Sequence, residues 1–197
     1  RQPVQTFAVT GGYHQRVYRF IRKLVGEGRQ AYIVCPMVEE NDQLPDERKA
    51  VTEYAKKLQS EVFPDLKVAF VHGKMKPKEK DAVMAAFAAH ETDILVSTTV
   101  IEVGVDVPNA SVMVIENAER YGLSALHQLR GRVGRSNQKG YCYLLSPPDE
   151  LLSSDARRRL RAIEEFSDLG SGFNIAMQDL DIRGAGNLLG AEQSGFI

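Results

Sequence analysis

Residues 94–115 read ILVSTTVIEVGVDVPNASVMVI. Two short apolar runs, Ile94 to Ser97 and Ser111 to Ile115, flank a loop of hydroxyls, one glycine and one aspartate. Neither run alternates apolar with polar residues, so neither is a half-exposed strand. A continuous apolar run of four or five residues bounded by polar loop suits a strand covered on both faces, as in a parallel sheet.

The same grammar extends outward. Val4 to Val9, Gln30 to Pro36, Lys67 to Val71 and Tyr141 to Ser146 also read as strands. Between them lie helical patterns. His14 to Val25 places Val17, Phe20, Ile21, Leu24 and Val25 on one face and stops at Gly26 and Gly28. Asp46 to Phe63 carries Ala50, Val51, Tyr54, Ala55, Leu58 and Val62; Asp46-Glu47 then reads as charge at a helix start. Pro77 opens a helix with Val83, Met84 and Phe87, and another lies near Leu123 to Leu129. Strands alternating with helices predict an α/β domain over residues 1–147, a parallel sheet with helices on both faces. Pro147 and Pro148 end the alternation. Ser154 to Phe166 and Asn174 to Ile182 read as helices with no strand between them, a helical appendage over residues 148–197.

Composition removes several classes. At 43% hydrophobic and 26% charged residues the chain is ordinary globular protein, and no apolar run reaches the roughly 20 residues of a membrane helix. Lys plus Arg number 25 against 26 acids, which argues against binding to nucleic acid by bulk charge alone and leaves room for a local basic stripe. Cys35 and Cys142 lie far apart inside apolar runs and read as packed thiols of a reducing compartment; no Cys/His spacing fits zinc. No signal peptide opens the chain, and its start at Arg1 suggests part of a longer protein.

In an open α/β sheet ligands bind beyond the carboxyl ends of the strands. There the sequence offers His72-Gly73-Lys74-Met75, then Thr98-Thr99 through Gly104 and Asp106-Val107-Pro108, then Gln128-Leu129-Arg130-Gly131-Arg132-Val133-Gly134-Arg135. These groups are expected to collect at one edge. Three arginines within six residues suit an anion, because the guanidinium fork matches phosphate oxygens and stays charged. A solvated basic face is the plainer reading of such a run.

The last stretch resembles the Q-x-x-G-R-x-G-R motif of superfamily 2 helicases, and Thr98-Thr99 through Pro108 resembles the motif that precedes it. The whole chain is similar to the second, C-terminal RecA-like motor domain of those proteins. The resemblance implies that Arg132 and Arg135 act as arginine fingers and that Gln128 positions water and phosphates. It implies that Gly104, Asp106 and Gly131 belong to the nucleotide site, and that Gly73, Thr98 and Thr99 hold the nucleic-acid backbone. ATP and Mg2+ would be bound mainly by a first motor domain, since no G-x-x-x-x-G-K-[ST] loop and no Asp-Glu pair ending a strand occur here. This chain alone is expected to be inactive as an ATPase.

Arg159, Arg183 and Gln193, with the run Asp179 to Gly190 between them, resemble the TRG translocation element shared by the RecG and Mfd family of DNA translocases. That resemblance implies a helical hairpin and loop over 148–197 that couples ATP turnover to movement on duplex or branched DNA. It further implies a bacterial cytoplasmic protein of repair or recombination and, for an Mfd-like member, RNA polymerase as a partner. Residues 30–146 look more like RecG and residues 162–197 more like Mfd. The alternatives are a non-catalytic nucleotide- or nucleic-acid-binding domain and half of an RNA helicase. The glycines from Gly184 to Gly190 are no dinucleotide fingerprint, because no strand leads into them.

Overall fold

A computed structural model of the chain describes residues 4–36, 47–98, 106–134, 138–166 and Ile182. Six parallel strands form one sheet: β1 (Val4–Thr10), β2 (Gln30–Cys35), β3 (Val68–Val71), β4 (Ile94–Thr98), β5 (Ala110–Ile115) and β6 (Gly140–Ser146), in the order β1-β6-β5-β2-β4-β3. Every strand read from the sequence is present, with ends moved by one or two residues. The expected α/β, RecA-like parallel sheet is the observed one.

The apolar runs explain the layering. Successive side chains of a strand point to opposite faces. Ile33, Ile94, Val96, Val112 and Val114 meet α1 (His14–Gly26) and α2 (Glu47–Lys57) through Val17, Ile21, Leu24, Val51 and Ala55. Tyr32, Val34, Leu95, Met113 and Ile115 point the other way. They meet α3 (Pro77–Ala88), α4 (Leu123–Arg130) and α5 (Ser154–Glu165) through Phe87, Leu126, Leu160 and Ile163. Two clusters on two faces require strands apolar at every position, which is what residues 94–96 and 112–115 provide.

Two local features differ from the sequence reading. The helix expected to run to Phe63 is α-helical only to Lys57, and Leu58–Val62 continues as a π turn that closes on Phe63. The helix after Pro148 is built into the second layer, where Leu160 and Ile163 pack in the same cluster as Leu126 and Ile115. Its start is fixed by Ser153, whose hydroxyl accepts from the Ala156 amide at 3.1 Å. Of the second predicted helix only Ile182, buried and helical, is described.

Candidate functional site

The two ends of the sheet are different places. Each helix between two parallel strands must run back along the sheet, so α4 starts at the carboxyl end of β5 and ends near the amino end of β6. A Cβ on Gly134 would lie 2.8 Å from Val4 Cγ2 and 3.3 Å from the Gly140 backbone, atoms at the amino ends of β1 and β6. Gly131 caps α4, its amide donating to His127, and Arg132 follows half-buried. Asp106, exposed, precedes β5 by four residues and so lies at the same amino edge. Gly73 and Thr98 lie at the carboxyl ends of β3 and β4. The expectation of one shared edge is therefore corrected. Of the residues matched to the nucleotide site Asp106, Gly131 and Arg132 lie at the amino edge, and of those matched to the nucleic-acid backbone Gly73 and Thr98 lie at the carboxyl edge; the reversal of α4 separates them. Gln128 is exposed in the last turn of α4. Arg135, Gly104, Thr99, Arg183 and Gln193 lie outside the described residues.

Neutral groups close the amino edge. Gln30, buried, donates to the carbonyls of Phe87 (2.7 Å) and Thr92 (2.8 Å), and Asn109 donates to Gln30 Oε1 at 3.1 Å and to the Gly28 carbonyl at 2.8 Å. Gly134, at φ +78°, packs so tightly on Gly140 that a Cβ on Gly140 would come within 2.6 Å of the Gly134 backbone. Arg132 is thus carried on a turn that no side chain can enter.

Two other arginines do structural work that charge patterning did not separate from phosphate binding. Arg130 is fully buried; its Nη1 donates to the Ile163 carbonyl at 2.7 Å and its Nη2 lies 3.0 Å from His127 Nδ1. Burial and the Arg130 cation hold His127 below its ordinary pKa, which keeps its ring neutral and able to accept. Arg159 turns inward from a helix whose Arg158 and Arg161 face solvent, and donates to the carbonyls of Tyr121 (3.2 Å) and Glu119 (3.1 Å). The position of Arg130 on the buried stripe Leu123, Leu126, Leu129 was the available signal.

At the carboxyl edge Thr98 is only 1% exposed, and its hydroxyl, like that of Ser97, has no hydrogen-bond partner among the described residues. A cavity of about 750 Å³ opens at this edge among the ends of β1, β2, β5 and β6. Its polar end is Glu116, with a side chain 12% exposed. His14 Nε2 lies 2.7 Å from Glu116 Oε1, and the Tyr54 hydroxyl donates to Oε2 at 2.6 Å while sharing a 2.9 Å bond with Tyr18. The Glu116 carboxylate holds His14 above its ordinary pKa, against the opposing effect of burial. Burial pushes the thiols of Cys35 and Cys142 up to about 12, so both are inert packing groups. The sequence reading missed Glu116, His14 and Tyr54. The only signal was an acid directly after an apolar strand.

Among the described residues no group of acids, histidines and cysteines could hold a metal, and no helix is long and apolar enough to cross a membrane.

Comparison with known proteins follows the geometry. Residues 13–137 match the helicase conserved C-terminal domain. The chain is 50% identical over its whole length to the ATP-dependent DNA helicase RecG of Synechocystis, of which it covers 23%. It is 48% identical over its whole length to the transcription-repair-coupling factor of Bacillus subtilis, of which it covers 16%. In three dimensions it is similar to RecG bound to a three-way DNA junction, with a TM-score of 0.77 and 46% identity over 95% of this chain and 23% of that one.

Proposed function

The chain belongs to the helicase conserved C-terminal domain family, and on that premise we propose that it is the second motor domain of an ATP-dependent translocase of double-stranded or branched DNA. One observation carries the reading: Asp106, Gly131 and Arg132 share the amino edge, apart from Gly73 and Thr98 at the carboxyl edge. A motor needs this separation, because nucleotide turnover and backbone grip must lie on different surfaces that one rigid body connects.

Phosphoryl transfer is catalysed by positioning and by charge stabilisation rather than by covalent chemistry. Arg132, with Arg135, supplies positive charge from a turn that Gly134 and Gly140 keep rigid. Asp106 and Gly131 offer a carboxylate and a bare backbone beside it, and Gln128 adds an amide within one turn. These residues fit the rim of a nucleotide site whose phosphate cradle and Mg2+ ligands come from another domain. Thr98, Thr99 and Gly73 hold phosphates through hydroxyls and backbone amides, contacts that position without reading sequence. Arg159, Arg183 and Gln193 couple the two edges. RecG-like work on branched DNA is favoured by the likeness to the junction-bound structure. An Mfd-like member would add RNA polymerase as a partner, and either role places the protein in repair or recombination in the bacterial cytoplasm.

The test compares the full-length gene product with this chain. The full-length protein should hydrolyse ATP with stimulation by duplex or branched DNA, and the 197-residue chain should turn over none. Sustained hydrolysis by the chain itself, or a full-length protein indifferent to DNA, overturns the proposal.

A further inference from the structure

We propose that Glu116 is a positioning residue: it anchors the loop that Arg159 grips, and so joins the carboxyl edge of the sheet to α5. The inference rests on the motor reading for its consequence and on geometry for the contact itself.

Glu116 directly follows β5 at the middle of the sheet, and three other elements converge on it. Its amide donates to the Val34 carbonyl of β2 at 2.8 Å. Its carboxylate receives His14 from the start of α1 and the Tyr54 hydroxyl from α2. A carboxylate this enclosed is tolerable only when donors satisfy it, so the group is held where the donors are. The next residue, Asn117, has φ 49° and ψ 51°, a left-handed conformation that costs a non-glycine residue about 1 kcal/mol. Such a conformation persists where the surroundings fix both sides of it. Glu116 fixes one side. The turn Ala118–Arg120 and Tyr121 follow, with Ala118 and Tyr121 buried, and the carbonyls of Glu119 and Tyr121 are the two acceptors of Arg159. The segment from Glu116 to Tyr121 is thus a short strap with a carboxylate at one end and a guanidinium at the other. From α5 the contact continues, because the Ile163 carbonyl accepts from Arg130, two residues before Arg132.

His14 gives the anchor a titratable component. It is faced by Glu116 from β5, by Tyr54 and Lys57 from α2, and by Tyr18 and the Gly11 carbonyl from its own segment. The charged pair is lost as pH rises through the raised pKa of His14.

The experiment uses the full-length protein with Glu116→Ala, Glu116→Gln, Arg159→Ala and the double variant Glu116→Ala/Arg159→Ala. Amide hydrogen exchange of residues 117–122 and DNA strands displaced per ATP hydrolysed are measured together. Glu116→Ala should speed exchange in the strap by about tenfold and lower displacement per ATP roughly fivefold, with hydrolysis persisting. The double variant should be no worse than the poorer single one, since both cut the same strap. Glu116→Gln, which keeps an acceptor for Tyr54, should recover part of the coupling and lose its dependence on pH. Multiplicative losses in the double variant, or exchange unaltered by Glu116→Ala, overturn the proposal. If the protein shows no DNA-stimulated hydrolysis at all, the motor reading fails, and the exchange comparison alone still decides the strap.

Discussion

The amino and carboxyl edges of one sheet are closed by different chemistry. At the amino edge, uncharged amides and two abutting glycines do the work: Gln30 and Asn109 staple β2 to its neighbours, and Gly134 lies against Gly140. At the carboxyl edge a histidine, a glutamate and two tyrosines meet beside an open cavity, and two strand-end hydroxyls are enclosed without partners among the described residues. An edge that must hold an arginine in place gains from contacts that neither titrate nor screen. An edge that grips and releases a charged polymer can use groups whose bonding changes. The physical lesson is that rigidity and adjustability are distributed along the strand direction.

The largest effect should come from the amino edge. In the full-length protein, Arg132→Ala should cut ATP turnover roughly 10³-fold or more, the scale of arginine fingers, while duplex DNA affinity at fixed salt changes little. Intact turnover with a loss of thermal stability would make Arg132 structural and remove the contrast. Next is Gly140→Ala, which forces a methyl into the backbone of Gly134. It should cost about 3 kcal/mol, or roughly 6–12 °C in melting temperature for a domain of this size, as read by thermal denaturation. Gln30→Ala should follow at about 2 kcal/mol, because buried carbonyls lose their donors, and circular dichroism should find the loss equal at pH 6 and pH 8.

The carboxyl edge should answer in smaller and opposite ways. Thr98→Val removes a buried hydroxyl that has no partner among the described residues and should raise stability by about 1 kcal/mol while weakening DNA binding. A drop in stability would show that the hydroxyl is bonded in solution and that the edge is as well satisfied as its opposite. The smallest effect is that of pH. His14 is raised above its ordinary pKa, so its pairing with Glu116 contributes fully below that ordinary value and is lost as pH rises through the raised one. Melting temperature should therefore decline gently from pH 6 upward, and His14→Gln should flatten the decline. An equal decline in the variant would assign the pH dependence elsewhere.

The strands and most helices were legible because burial on both faces leaves the middle of a strand apolar, as residues 94–96 and 112–115 show. Sheet order was not, since β1 pairs with β6 and β2 with both β4 and β5, and local pattern carries no record of partner. The arginine motif was legible as chemistry but not as place, because a helix that reverses direction moves its last residues to the far end of the sheet. Arg130 and Arg132 look alike in the motif, and only burial makes one a strut. His14, Tyr54 and Glu116 stand forty or more residues from one another in the chain, and each by itself is an ordinary residue: one opens a helix, one lies within a helix and one follows a strand.

Among the described residues the first strand has one partner, and it is the last of the six: Val4 pairs with Gly140 and Thr10 with Ser146. On a ribosome adding about 5–20 residues per second, the residues of β1 emerge many seconds before their hydrogen-bonding partners exist. Strands β2, β3 and β4 complete their mutual pairings long before that. Vectorial synthesis therefore favours an interior assembled first, with a lone apolar strand, Phe7 on its open side, waiting for its place. A cell making this protein has reason to shield that strand, and a message cut short before Gly140 would release chains whose first strand never closes onto a sheet.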